Sequence, residues 1–353
     1  MDRAGAETMV MNLYRSIDRS RYQFDFATFT SDRCDYDEEI EALGGRIIRI
    51  PGRNALTRFI GLWRLLRRGE WRIVHSHTLF STGLHLLAAQ LAGVPVRIAH
   101  SHNTADANSQ STVGRRYQVF SRRLLNRVPT DYVACGRAAA SYLFPGRSEV
   151  TIIPNAIDVR AFLEESGSTV RQGLGIDPGC LAIIQVGRLQ SVKNHAFSLR
   201  IADALREARQ DFQMLFVGSG EQQESVEGEI RERGLGHHVR LLGVREDIAA
   251  LMGAADVMLM PSLHEGFPVV LVESQASGLP AVVSKSISPE VDLGLGLVEF
   301  VDLAVSPAQW ADRIVKTVSK PILDPVAREV ILNEHGFSAA AGARRLACMY
   351  ANS

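Results

Sequence analysis

The first 150 residues of this 353-residue chain contain no lysine. Twenty-one arginines carry the positive charge of that stretch against 14 acidic residues, an excess of seven that the remainder cancels to a formal net charge of zero. The neutral total therefore hides a first part built to meet something anionic. Cysteine is scarce as well. Cys34, Cys135, Cys180 and Cys348 stand far apart, which excludes a disulfide framework or a cysteine-based zinc ribbon and fits a reducing compartment. No run of about 18 apolar residues occurs, which argues against a membrane-spanning helix. No secretory pattern opens the chain, so the expected location is cytoplasmic. Internal repeats and low-complexity tracts are missing too. Hydrophobic residues at 46% and charged ones at 22% are ordinary for a globular chain, and the length supports two domains with separate cores.

Short apolar runs alternate with helix-like segments throughout. Strand candidates occupy 24–29, 46–50, 71–77, 96–102, 131–136 and 150–155, and a second set occupies 181–187, 213–220, 239–243, 255–261 and 280–284. Helical patterns between most neighbours predict parallel sheets covered on both faces. Two such sets predict two Rossmann-like, doubly wound α/β domains. The polar stretch 160–179 separates them. The expected organisation is a first domain over 1–160, a second over 161–335 and a closing segment over 336–353.

The densest pattern is PSLHEGFPVVLVESQASGLP at 261–280, in which Glu265 and Glu273 stand eight residues apart. Residues 255–260 read as a strand, and Gly-Phe-Pro at 266–268 opens a helix. Glu265 then sits on the loop feeding the helix N-terminus, and Glu273 lies about two turns in. Free backbone N–H groups at the positive end of a helix, beside a carboxylate, suit a phosphorylated ligand that carries hydroxyls. Two carboxylates at this spacing can each hold a polyol, one a sugar and the other the ribose of a nucleotide sugar. An ordinary strand-to-helix connection with two surface glutamates is the plain alternative.

With His-Glu-Gly-Phe-Pro in front and Ala-Ser-Gly-Leu-Pro behind, this segment closely resembles glycosyltransferase family 4, the retaining nucleotide-sugar enzymes of the GT-B fold. It is most similar to the branch that builds capsular and exopolysaccharides. The similarity runs from AGAETMVMNLYR at 4–15 to the last helix. It implies two Rossmann-like domains across a cleft, the first binding acceptor and the second binding donor, with the helix at 338–350 crossing back to the first. Family members open on a strand that leads into a glycine-rich loop. This chain begins inside that loop, so the first strand of the N-terminal domain is expected to be absent and the native start to lie upstream. The family's Gly-Gly-Ala-Glu reads Ala4-Gly5-Ala6-Glu7 here, which keeps Gly5 for close approach to a phosphate.

The resemblance further implies transfer from a UDP- or GDP-sugar to a lipid-linked or oligosaccharide acceptor, with no metal and no other cofactor. The expected catalytic residues are His102, Glu265, Arg188 and Lys193. Glu265 takes the sugar hydroxyls with the backbone of Gly266 and Phe267, Glu273 the ribose, and Leu242 with Val244 the base pocket. Arg188 and Lys193 follow a strand that ends at Gly187, so they project from the carboxyl edge of the second sheet. There they neutralise the diphosphate and the charge that grows as it departs. His102 meets the transferred sugar, with His100 as the alternate.

Other motifs keep two readings. Val-His-Ser-His at 74–77 and Ala-His-Ser-His at 99–102 each put two histidines on one strand face, which also admits a structural or a metal-binding role. No acid stands at ligand spacing nearby, so no metal is expected. FVGSGE at 216–221 is a tight turn or a phosphate loop. Asp35-Tyr36-Asp37 superficially matches the metal-holding pair of the other large glycosyltransferase fold, but reads here as a solvated loop. Arginine clusters at 55–69 and 114–127 form amphipathic helices whose apolar faces pack on the sheet. Their arginines attract anionic lipid or a lipid diphosphate, which places the protein peripherally at the inner face of the cytoplasmic membrane. The aromatics are not spaced as a stacking platform, so nucleic acid is not expected. Two other readings fit the same motifs less well: a nucleotide-sugar epimerase or a phosphorylase of this fold, and a truncated, non-catalytic subunit of a polysaccharide-assembly complex.

Overall fold

A computed structural model of the protein describes residues 5–102, 111–163, 167–265 and 267–351. It divides into two compact units, residues 1–156 with 336–353, and residues 157–335.

The first unit alternates helix and strand: α1 (Gly5–Ser16), β1 (Asp25–Thr28), α2 (Asp37–Ala42), β2 (Arg46–Arg49), α3 (Ala55–Arg68), β3 (Ile73–Ser76), α4 (Thr82–Ala92), β4 (Val96–Ser101), α5 (Thr112–Leu125), β5 (Asp131–Ala134), α6 (Arg137–Leu143) and β6 (Thr151–Ile152). All its strand pairs are parallel, but they fall into two sheets, β1-β2 and β3-β4-β5-β6. Asn54 caps α3 in a reciprocal box with Thr57, which fixes where that helix starts. Leu62 and Leu66 of α3 enter a core with Ile50 and Ala88, and Phe59 and Trp63 pack against it. Leu56, in the first turn of the same helix, instead stays 66% exposed.

The second unit contains α7 (Val159–Leu163), α8 (Ser168–Gly173), β7 (Leu181–Val186), α9 (His195–Glu207), β8 (Phe212–Val217), α10 (Gln223–Glu232), β9 (Val239–Gly243), α11 (Ile248–Ala254), β10 (Val257–Met260), α12 (Val269–Ser277), β11 (Ala281–Ser284), β12 (Val298–Val301), α13 (Pro307–Thr317) and α14 (Pro325–Glu334). Its six parallel strands run β12-β11-β10-β7-β8-β9. Strands β7, β8 and β10 are almost wholly buried. That is why they read as mainly apolar runs, interrupted by Gln185 in β7 and Gln213 in β8, rather than as alternating ones. Each large apolar side chain among them contributes ~1.5–3 kcal/mol on leaving water. Strand β12 was not foreseen. It is a four-residue edge strand behind the glycine-rich loop at 292–297, where a turn signal masks a short strand.

The last helix, α15 (Ala339–Ala351), belongs to the first unit. It packs on α1 through its small residues. A Cβ on Gly342 would come within 2.8 Å of Leu13 Cδ2, so glycine sets how closely the two helices approach.

Candidate active site

The sheet order of the second unit decides where its ligand sits. The chain runs outward from β7 through β8 to β9, then returns to place β10 on the other side of β7. The loops after β7 and β10 therefore diverge from adjacent strands, at the switch point where open α/β sheets bind ligands. Arg188 and Lys193 lie on the first loop and Glu265 on the second.

Those loops are tied together by the backbone. Leu263 N–H donates to the Val192 carbonyl (2.8 Å), and Asn194 Nδ2 donates to the Pro261 carbonyl (3.0 Å). Asn194 has the left-handed backbone (φ 58°) that turns a short 3-10 segment, Ser191–Lys193, into α9. Behind them, Ser198 Oγ donates to Gln185 Oε1 (2.6 Å) and Gln185 Nε2 to the Lys193 carbonyl (2.9 Å). A polar residue inside the apolar strand β7 thus holds the backbone of Lys193. The outcome is an ion pair, Lys193 Nζ to Glu265 Oε1 at 2.7 Å, with side chains only 16% and 15% exposed. Arg188 is exposed.

The glycine-rich turn after β8 seats this arrangement. Leu189 N–H donates to the Ser219 carbonyl (3.0 Å), and the Leu189 carbonyl accepts from Gln222 N–H (2.9 Å). A Cβ on Gly218 would stand 2.1 Å from the Gly187 carbonyl oxygen, and one on Gly220 would stand 2.4 Å from that of Leu189. Gly218 also has φ +133°, which an L side chain rarely adopts. These glycines let two backbones touch. Gly218→Ala is expected to cost about 2–3 kcal/mol of stability in the second unit, read by urea denaturation, because the blocking atom is backbone and cannot step aside.

Glu273 lies on α12, half-buried. Burial pushes its carboxyl up to about 7. The helix begins only at Val269, with Pro268 as its N-cap, so Glu273 sits little more than one turn in rather than two. Pro268 has no N–H and restricts the residue before it, which delays the start. Phe267 and Leu242 pack against the core beneath these loops, whereas Val244 is 73% exposed. Gly266 lies outside the described residues.

In the first unit, Gly5 opens α1, and His102 follows the last residue of β4. His75, His77, His100 and His102 form one cluster. His75 Nε2 lies 3.1 Å from His100 Nδ1, and His77 Nδ1 lies 2.8 Å from His102 Nε2. His100 is fully buried, while His102 is half-buried. Burial, then the neighbouring histidines, lowers His75 to about 3 and holds His77 and His100 well below the ordinary value. His102 is lowered to about 4 by burial, against a hydrogen bond to Asn155 that raises it. All four are neutral at pH 7.

Residues 4–156 match the family described as glycosyl transferase 4-like domain, and residues 168–323 match glycosyl transferases group 1. EpsF of Bacillus subtilis (strain 168), a protein assigned as a glycosyltransferase, is 43% identical over 90% of this chain and 86% of its own length. The chain belongs to glycosyltransferase family 4. CapH of Staphylococcus aureus, a capsular polysaccharide biosynthesis glycosyltransferase, is 25% identical over 91% of this chain and 89% of its own. The crystal structure of Anabaena HepE in complex with UDP superimposes with a TM-score of 0.81 at 19% identity, covering 99% of this chain and 97% of that one. The fold is GT-B.

Within this glycosyltransferase, Asp37 is not the solvated group that its polar surroundings suggest. It is buried at the start of α2, where its Oδ2 accepts from Cys34 N–H (3.2 Å) and from Arg49 (2.8 Å). Tyr36 beside it joins the core of the first unit. Some arginines of the first unit are structural: Arg122 lies over the Phe80 ring (5.3 Å) and Arg147 over Tyr132 (3.7 Å). Others remain exposed, among them Arg115, Arg116 and Arg123 on α5. Val119 and Phe120, also on α5, are 53% and 47% exposed. Gln185, Asn194 and Ser198 escaped the sequence reading. The signal for the first was a glutamine inside an otherwise apolar strand.

Proposed function

We propose that this glycosyltransferase moves a sugar, with retention of configuration, from a nucleotide sugar to a lipid-linked saccharide in exopolysaccharide or capsule assembly. The observation that carries the reading is the Lys193–Glu265 pair at the switch point. A cation for a diphosphate and a carboxylate for sugar hydroxyls stand side by side, as a glycosyl phosphate requires. Relatives support the substrate classes. The Escherichia coli protein named UDP-Gal:alpha-D-GlcNAc-diphosphoundecaprenol alpha-1,3-galactosyltransferase is 29% identical over 64% of this chain. HepE structures hold UDP and UDP-glucose.

In the proposed reaction the acceptor hydroxyl oxygen bonds to the anomeric carbon as the bond from that carbon to the diphosphate oxygen breaks. The acceptor proton passes to that departing oxygen on the same face, so no protein nucleophile is required. Arg188 and Lys193 take up the charge that grows on the leaving group, in the place of a metal ion. Glu265 with Phe267 and Gly266 holds the sugar, Glu273 the ribose, and Leu242 with Val244 the base. His102 is the proposed sugar contact of the first unit.

The test is a thermal-shift panel of UDP-, GDP- and ADP-sugars with chelator present. One donor, at about a hundred times its Kd, is expected to add about 2.7 kcal/mol to the stability of the protein, and Glu273→Gln to remove most of that gain. Transfer to a lipid-diphosphate-linked sugar then follows in the same buffer. A folded protein that no donor stabilises would overturn the reading.

The anionic partner of the first unit is proposed to be the membrane surface. On α5, Arg115, Arg116, Val119, Phe120 and Arg123 recur at spacings that share a helix face. Binding to phosphatidylglycerol vesicles is expected to weaken as salt rises. The pair of changes Arg115→Glu and Arg116→Glu should lower it about tenfold or more in a sedimentation assay.

A further inference from the structure

The histidine cluster is more than the family reading uses. Strands β3 and β4 pair in parallel with His75 opposite Ile98, so His75 and His77 share a sheet face with His100 and His102. The rings pack tightly: centroids are 4.3 Å apart for His75–His77, 4.9 Å for His77–His100 and 4.1 Å for His100–His102. One ring nitrogen each from His75, His77 and His100 lies within 4.8 Å of the others. Histidine–histidine contacts satisfy only part of this array. His100 Nε2 is buried with no hydrogen-bond partner among the described residues. Such an orphan costs about 1–3 kcal/mol, and a half-satisfied buried network is worse than an apolar core. An occupant that accepts several imidazole lone pairs at once removes that cost.

We propose that His75, His77 and His100 bind a divalent transition-metal ion of the zinc or cobalt type. Three neutral imidazoles, with no carboxylate grouped with them among the described residues, suit such an ion and do not suit magnesium or calcium. Bonds of about 2.0–2.1 Å to a tetrahedral ion require the three nitrogens to close up by roughly an ångström, which ring rotation supplies. The outer partner is already in place: Tyr350 Oη, from α15, lies 2.9 Å from His75 Nδ1, as a metal-bound imidazole requires of its second nitrogen. The ion takes no part in the proposed transfer, which draws its positive charge from Arg188 and Lys193. Filling the site fixes the tautomer of His77 and, through the 2.8 Å contact, the hydrogen-bonding state of His102.

The experiment uses the full chain stripped with chelator and then dialysed free of it. Zinc is titrated against a chromophoric competitor, and cobalt by its visible absorption. One ion per chain is expected, with the intense cobalt bands of a tetrahedral nitrogen site. His100→Ala should lower the affinity by at least about a hundredfold. Tyr350→Phe keeps all three rings and should lower it about tenfold, so the proposal stays testable if the alanine variant does not fold. His237→Ala, at an exposed histidine outside the cluster, should change nothing. Absence of stoichiometric binding would overturn the proposal. So would binding that survives Tyr350→Phe undiminished, or binding that is lost in His237→Ala.

Discussion

Lys193→Ala is expected to lower sugar transfer at least about a thousandfold, and Glu265→Gln to lower it about a hundredfold while tightening the hold on the nucleoside diphosphate product. The two members of one ion pair should thus move product affinity in opposite directions. Lys193 sits in a half-buried setting with its ammonium 2.7 Å from Glu265. There a charge is worth far more than in water. Removing one preorganised donor from a developing anion costs about 10²–10³ in rate. Lys193→Ala also strands Glu265 without its counter-charge, which adds to the loss. Glu265→Gln does the reverse. The ammonium no longer divides itself between carboxylate and diphosphate, so UDP or its equivalent binds about tenfold more tightly, while the sugar loses its acceptor for hydroxyl hydrogens. Calorimetric titration of the nucleoside diphosphate separates the two variants, and a radiolabelled transfer assay gives the rates. Equal losses of product affinity in both variants would sink the idea that the lysine is shared. The pair would then be a structural tie between two loops.

The candidate site was legible where short motifs single out individual side chains. Arg188, Lys193, Glu265 and Glu273 could be chosen because short motifs and strand ends locate them. The carboxyl edge that carries them followed from the alternation of apolar runs, whereas the switch point needed the order of the strands in the sheet. What holds Lys193 was hidden, because Gln185, Asn194 and Ser198 become a network only when β7, α9 and the loop after β10 meet. Local propensity carries no sign of that. The depth of Glu273 was misjudged for a local reason, since Pro268 delays the helix. Asp37 was misread because its neighbours in sequence are polar, while its neighbours in space are Arg49 and the core around Tyr36. The histidines show the boundary most clearly. Period-two alternation puts each pair on one strand face, but only the register of β3 against β4 makes four rings into one cluster.

That cluster leads to the second large effect, an acid lability confined to one unit. In metal-free protein the first unit is expected to unfold as the pH falls from about 6.5 toward 4, before the second unit does. His75 and His102 are lowered to about 3 and about 4, and His77 and His100 lie well below the ordinary value. His85, in the same unit, is lowered to about 4 by burial and then by Arg58. In the unfolded chain each takes up its proton near pH 6.5. Below that pH the unfolded state therefore binds more protons than the folded one. Stability is fully present above pH 6.5 and is lost as the pH falls toward the folded values, at up to about 1.4 kcal/mol per pH unit for each extra proton. Several such groups acting together approach the 5–15 kcal/mol that holds a typical domain. The second unit contributes His195, lowered to about 4 by burial and then by Lys193. Its Glu273 works in the opposite direction, since a carboxyl raised to about 7 costs stability as the pH rises from about 4.5 to 7 and costs none in acid. The tryptophans report the units separately: Trp63 and Trp71 lie in the first and Trp310 in the second. Fluorescence of the Trp310→Phe variant should therefore change at a higher pH than that of the variant carrying Trp63→Phe with Trp71→Phe. Coincident transitions, or a first unit indifferent to pH between 6.5 and 5, would show that the cluster admits protons as freely as the unfolded chain.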